Sequence, residues 1–438
     1  MNPFKEKAKN TEDQLLSLQE LYLTPYDKNT VDPYTKTRII LACGAEYEAN
    51  WHSHQAQRKT DDMAVRRGLA LTRFSEKQQQ QLLAQLKPLD ETILETTISY
   101  EQLAVDLTAE LARKECNFYV KKALDFALLE DFDHLYRYSN LLFNDSKIKA
   151  ENLVGKYTEI MPARPTVAHH RHPLDNVKNS IKNIKEDTRT ILSTMIITAA
   201  EQQTMNYYMN VAAYYPNAEG RRLYEEICLV EEEHVTQYGS LIDANSNPFE
   251  CALWHEYCEC YLYWSNYMTE SDNRIKDIWA RFYEIELSHL ADARKMLKKY
   301  CKKDYDEVIC NPQFPEPLSL HENIDYVREI LATTVQFTGK MNDYKSVNLL
   351  DTDDRFFKYN AQFTKPITKM PSHEVIKQKI IKDGTDYRYQ TQSHPLKVMQ
   401  NNTVDQTEVG IVANKAESIG FKKVRKSCFK NEKCSPIG

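Results

Sequence analysis

Glu231 and His234 stand three residues apart in the stretch LVEEEHVTQYG, residues 229–239. That spacing puts a carboxylate and an imidazole on one face of a helix, where both can reach one metal ion. The pair occurs again as Glu286 and His289. A single glutamate precedes each pair by thirty residues, Glu201 before the first and Glu256 before the second. A shift of fifty-five residues carries Glu201, Glu231 and His234 onto Glu256, Glu286 and His289. Four carboxylates and two imidazoles are the ligand inventory of a two-metal site, because two dications are neutralised by four carboxylates. Hard oxygen ligands with imidazole suit iron or manganese. Ile197 and Met205 flank Glu201, Ile227 and Val235 flank Glu231, and Phe282 and Leu290 flank Glu286. Such surroundings predict burial, where an ionised carboxylate is costly unless paired or metal-bound.

The same ruler extends backwards. A shift of 155 residues from the later set falls on Glu46, Glu76, Gln79, Glu101, Asp131 and His134. Every acid recurs, one of them as aspartate, and one of the two histidines recurs. Arg66-Arg67 falls on Arg221-Arg222 and Asp32 on Asp187. Any one of these acids, taken alone, is most simply a solvated helix face. A common translational rule instead indicates an internal duplication. The earlier copy predicts a second, weaker metal site from Glu46, Glu76, Glu101, Asp131 and His134, with Gln79 where the later copy has His234.

Helices must position these residues. Helical periodicity covers 188–215, 218–242, 248–271 and 273–300, with short connections between. The chain has only ten glycines, which suits long helices better than tight strand turns. The expected fold is all-α: two tandem four-helix bundles at 32–148 and 187–301, joined by a linker at 149–186. A partly helical extension, 302–438, follows. In it, SLHENIDYVREILATTVQFT (319–338) reads as a helix opened by a capping box of Ser319 and Glu322. Residues 373–384 read as a short helix ending at Gly384, and the basic last stretch reads as a tail.

The order Glu…Glu-x-x-His…Glu…Glu-x-x-His resembles the ferritin-like di-iron carboxylate superfamily, and the later copy is most similar to the rubrerythrins. Glu259, three residues beyond Glu256, resembles an extra glutamate of that family, and Tyr208 its tyrosine near the metals. The resemblance implies two iron ions, or iron and manganese, in the intact site. It makes Glu231 and Glu286 bridging ligands, and Glu201, Glu256, His234 and His289 terminal ones. Glu259 becomes a redox-linked ligand or proton relay. The implied activity is a di-iron oxidoreductase that reduces peroxide or oxygen with an external electron donor. Ferroxidase and manganese catalase share the same ligands, and a non-catalytic structural or assembly protein with a duplicated metal-binding bundle is the alternative outside enzymes. One departure concerns connectivity. The loop 243–248 is too short for the long crossover of a ferritin-type bundle, which favours an up-down-up-down order or a rearranged bundle.

Other features bound the reading. A formal net charge of −6 argues against a general nucleic-acid binder. No run approaches the roughly 20 apolar residues of a membrane span, and the N-terminus lacks a signal-peptide core. The ten cysteines include no C-x-x-C pair, consistent with reduced thiols and a cytoplasmic setting. Cys258 and Cys260 point to different helix faces and so cannot share a metal. His169, His170 and His172 read as a solvated linker, and the tyrosine clusters at 207–208, 214–215 and 261–263 mainly as core filler. Further copies of the chain, as a homo-oligomer, are compatible with all of this.

Overall fold

Every main helix begins at a residue able to satisfy its first free amides. In the computed structural model, which describes residues 1–155, 157–161, 170–334, 337–364, 366 and 369–383, eight long helices carry the fold. They are α1 (Pro33–Arg58), α2 (Met63–Gln85), α3 (Ile93–Lys114), α4 (Phe118–Ser146), α5 (Thr188–Tyr214), α6 (Ala218–Gly239), α7 (Pro248–Thr269) and α8 (Asn273–Cys301). Their N-caps are Asp32, Asp62, Thr92, Asn117, Asp187, Asn217, Asn247 and Asp272, each accepting a backbone N–H through its side chain. Thr92 and Asn247 form reciprocal capping boxes with Glu95 and Glu250.

The duplication is visible in the backbone. The 155-residue shift carries both ends of α3 onto both ends of α7, and both ends of α4 onto both ends of α8. It also carries Lys147 onto Lys302, and both close their helices in the left-handed conformation, at φ of 63° and 60°.

The helices do not group as two tandem bundles. One set comprises α3, α4, α5 and α6, shown by Tyr208 of α5 donating to Glu101 of α3 and by His234 of α6 meeting Glu130 and Asp131 of α4. The other comprises α1, α2, α7 and α8, shown by Tyr263 of α7 donating to Glu46 of α1 and Gln79 of α2 donating to Glu286 of α8. The divisions 32–148 and 187–301 are therefore corrected: each copy contributes one helical hairpin to each set. The connectivity problem disappears with them. The set α3–α6, inner in the chain order and called the inner set, is continuous in sequence, whereas α1, α2, α7 and α8 form the outer set. The second and third helices of the inner set are joined by the long segment 147–187, not by 243–248.

The two sets meet along α1 and α5. A Cβ on Gly44 would lie 2.9 Å from the carbonyl oxygen of Ala199, so glycine is what permits the close crossing. Gly44 and Ala199 are equivalent under the 155-residue shift, which places the contact between two copies of one position.

The remaining segments wrap these sets. The N-terminal stretch binds the outer set: Gln78 bonds Leu16 N and O at 2.8 and 2.7 Å, and Thr11 donates to Asp292 at 2.8 Å. Part of the 149–186 linker, around His170 and Arg171, is buried, as set out below. In the extension, residues 319–338 form a shorter helix than expected, α9 (Ile324–Thr334), followed by strand β1 (Phe337–Lys340) paired antiparallel with β2 (Asp343–Ser346). The Ser319–Glu322 capping box is not formed. The chain there is pinned in a non-helical course by burial of Leu318 and Leu320 and by Leu318 N bonding Ser265 Oγ at 3.0 Å. Helices α10 (Arg355–Phe363) and α11 (Pro371–Asp383) follow. Helix α11 lies against the inner set, where Arg137 donates to Ser372 O and Ser372 Oγ donates to Glu226. Gly384 and the basic tail lie outside the described residues. Among the described residues no helix is long and apolar enough to cross a membrane.

Candidate metal centres

In the inner set, α3 supplies Glu101, α4 supplies Asp131 and His134, α5 supplies Glu201, and α6 supplies Glu231 and His234. All six are at most 1 % exposed. Two groups of possible ligand atoms overlap here. Asp131, Glu201, Glu231 and His234 form one, and Glu101, His134 and Glu231 form the other, each with its atoms within 4.8 Å of one another. Glu231 belongs to both, which is the position of a bridging carboxylate. His134 Nδ1 lies 2.9 Å from Glu231, and His234 Nδ1 lies 3.2 Å from Glu231 and 3.3 Å from Asp131.

His234 is held from behind. Its Nε2 is 2.7 Å from Glu130, and Glu130 is paired with Arg171. A carboxylate on the far nitrogen fixes the ring and leaves the other nitrogen for a metal. Arg171 also meets Glu233 at 3.2 Å, and His170 lies 3.9 Å from Glu226 and 3.8 Å from Glu233. The expectation of a solvated linker thus fails for His170, which is buried with Arg171 because α4 and α6 present acids that need cations. Glu233 likewise has a role its helix face did not suggest. His169 lies outside the described residues, and His172 caps a short turn through Leu174 N.

In the outer set, α1 supplies Glu46, α2 supplies Glu76 and Gln79, α7 supplies Glu256 and Glu259, and α8 supplies Glu286 and His289. Glu76, Glu256 and His289 form one group of possible ligands, and Glu256, Glu259 and Glu286 a second. The shared carboxylate is Glu256, not Glu286, whereas the family resemblance implied Glu286 as the bridge. His289 Nδ1 is 3.0 Å from Glu286 and 3.8 Å from Glu256. Gln79 donates to Glu286 at 2.7 Å, filling with an amide the place that His234 has in the inner cluster.

The six residues Glu201, Glu231, His234, Glu256, Glu286 and His289 therefore do not form one site. The first three complete their set with Glu101, Asp131 and His134, and the last three with Glu46 and Glu76. Tyr208 and Glu259 are separated too, since Tyr208 bonds Glu101 in the inner cluster and Glu259 adjoins the outer one. Tyr263 is the residue that sequence reasoning missed. It binds Glu46 as Tyr208 binds Glu101, and the fifty-five-residue shift relates the two tyrosines. From Tyr208 the rings of Tyr138, Tyr224 and Tyr215 follow with centroid separations of 5.1, 4.8 and 5.3 Å.

Electrostatics is strained in both clusters. Burial, then mutual repulsion, pushes the carboxyls of Glu101 and Asp131 well above the ordinary range, and those of Glu46, Glu256 and Glu259 likewise. Burial raises Glu201 and Glu76 to about 7 despite their histidine neighbours. Burial also acts upward on Glu231, but His134 and His234 outweigh it and hold the group near 2. Several buried oxygens have no hydrogen-bond partner, among them both of Glu201 and both of Glu259. Unpaired acceptors converging on one point fit a cation, which would replace protons as the compensating charge.

No family model, curated protein or solved structure matches the chain.

Proposed function

We propose that the protein binds divalent transition metal, iron or manganese, at both clusters, and that it is an oxidoreductase acting on peroxide or oxygen. The observation that carries this reading is the convergence of four carboxylates and two histidines from four helices on one buried point, with both Glu201 oxygens lacking a hydrogen-bond partner. The helix order of the inner set, with its long connection in the middle, supports kinship with ferritin-like bundles better than a tandem division does. Glu101, Asp131, His134, Glu201, Glu231 and His234 would hold the inner ions, and Glu46, Glu76, Glu256, Glu286 and His289 the outer ones.

Bound iron or manganese would supply Lewis acidity and electrons for cleaving an O–O bond. The chain supplies the rest. Glu130 orients His234, and the Tyr208 and Tyr263 hydroxyls fix Glu101 and Glu46. Glu259, with its carboxyl pushed up by burial and by Glu286, is suited to hold a proton beside the outer cluster. The cavities beside that cluster, described next, favour it as the reacting centre and favour a stabilising role for the enclosed inner one.

Metal analysis of protein purified without oxygen tests the proposal. Wild type should carry iron or manganese, Glu231→Ala should lose the inner ions, and Glu286→Ala the outer ones. Turnover of peroxide with an artificial reductant should fail in Glu286→Ala. A wild-type metal content near zero would end the reading. Metal without turnover would leave the non-catalytic structural alternative.

A further inference from the structure

The outer cluster borders a cavity that water-sized substrates do not require. It has a volume of about 250 Å³, and Glu76, Glu256 and His289 form part of its wall. Ala49, Val65, Leu69, Phe249, Ala252 and Met296 give the wall its apolar part, with the hydroxyls of Ser53 and Thr72 among them. Lys59 and Thr60, just past the end of α1, and Pro248, at the start of α7, place one side of the cavity at the helix ends. His52 and His255 line it and also line a smaller cavity of about 100 Å³ that reaches Glu48 and Glu259. Their Nε2 atoms are buried without a hydrogen-bond partner. Peroxide and oxygen are two-atom bodies and need nothing of this size. An apolar cavity of about 150 Å³ holds benzene, so 250 Å³ holds on the order of ten non-hydrogen atoms by proportion.

We infer that this cavity is the binding site of a neutral organic substrate or effector of about ten non-hydrogen atoms, with an apolar body and one hydroxyl-like polar group. The apolar body packs among α1, α2 and α7, and the polar group meets the Nε2 of His52 or His255. Burying a charged body among the apolar residues of this wall is costly, which favours a neutral ligand. This assignment rests on the metal-site reading for its link to chemistry, but binding itself needs only the cavity.

Calorimetric titration of the full-length protein with n-alkanols from butanol to dodecanol tests it, with metal content measured on the same preparation. Saturable binding should strengthen about three- to fourfold per added methylene and level off near nine carbons. Ala252→Phe should weaken nonanol binding by at least about tenfold, since a ring would occupy the space. Leu69→Ala should move the levelling point outward by about two to three carbons, a gain that misfolding cannot produce. Absence of saturable binding to wild type, or an unchanged nonanol affinity in Ala252→Phe, would overturn the inference. Metal present without alkanol binding sinks this inference and leaves the metal reading intact. Alkanol binding without metal does the reverse.

Discussion

The inner and outer clusters are built from the same parts and are enclosed differently. The inner one has both histidines, a carboxylate and an arginine behind His234, and a cover formed by the linker and α11. The outer one has Gln79 in place of a histidine, an additional carboxylate in Glu259, and cavities along its wall. Duplication supplied two equivalent ligand frames. One frame is closed and reinforced, while the other has an amide in place of an imidazole and space beside it. On the proposed reading, that division separates holding a metal from letting something reach it.

The comparison breaks most sharply on metal removal. Chelation, or Glu231→Ala, should lower stability by about 4 kcal/mol where the ions sit at a thousand times their dissociation constant. Glu286→Ala should cost less stability while abolishing turnover. Calorimetric melting and steady-state assays on one set of variants would show this, and equal melting losses would erase the distinction. Next in size is Gly44→Val, at the contact both sets share. A Cβ 2.9 Å from a backbone oxygen forces α1 and α5 apart, at a cost of about 1–3 kcal/mol. Denaturant unfolding should register that loss with metal retained at both clusters. Glu130→Gln should reduce metal affinity about 10- to 100-fold at the inner cluster alone, read by competition with a chromophoric chelator. An equal loss at the outer cluster would contradict the assigned support.

The smallest effect is one of pH. Burial acts against the charged form of His170, yet Glu226 and Glu233 prevail and raise its pKa from 6.5 to about 9. The folded protein binds that proton more tightly than the unfolded chain. The stabilisation is therefore complete below about 6.5 and is lost as pH rises through about 9. His170→Gln should flatten the decline in melting temperature over that window, with no change in metal content at the outer cluster.

Much of the fold was legible because helices announce themselves locally. The caps at Asp187, Asn217, Asn247 and Asp272 and the apolar periodicity between them set the later four helices to within a few residues. The ligand residues were legible because a duplication repeats its chemistry at fixed intervals, and the buried acids obey that interval. Tyr263 obeys it as well and was passed over among neighbouring aromatics. The helix expected over 319–338 is shorter at both ends: residues next to its start are pinned against α7, and its last ones pair as a strand.

The sequence by itself determined the eight helices, their internal repeat and the identity of nearly every acid and histidine of the two buried clusters. Only the tertiary structure decided which hairpin faces which. Each hairpin presents a Glu and then an acid-x-x-His or, in the first, an acid-x-x-Gln at equivalent positions, so the interval rule does not say which hairpins pair. The choice depends on non-local packing: the close crossing of Gly44 on Ala199, and the long segment 147–187 that joins α4 to α5 within one set. That choice placed Gln79 opposite Glu286 and gave His134 and His234 to the same cluster. The inner cluster, with its four carboxyls and two imidazoles, consequently draws half its residues from each copy.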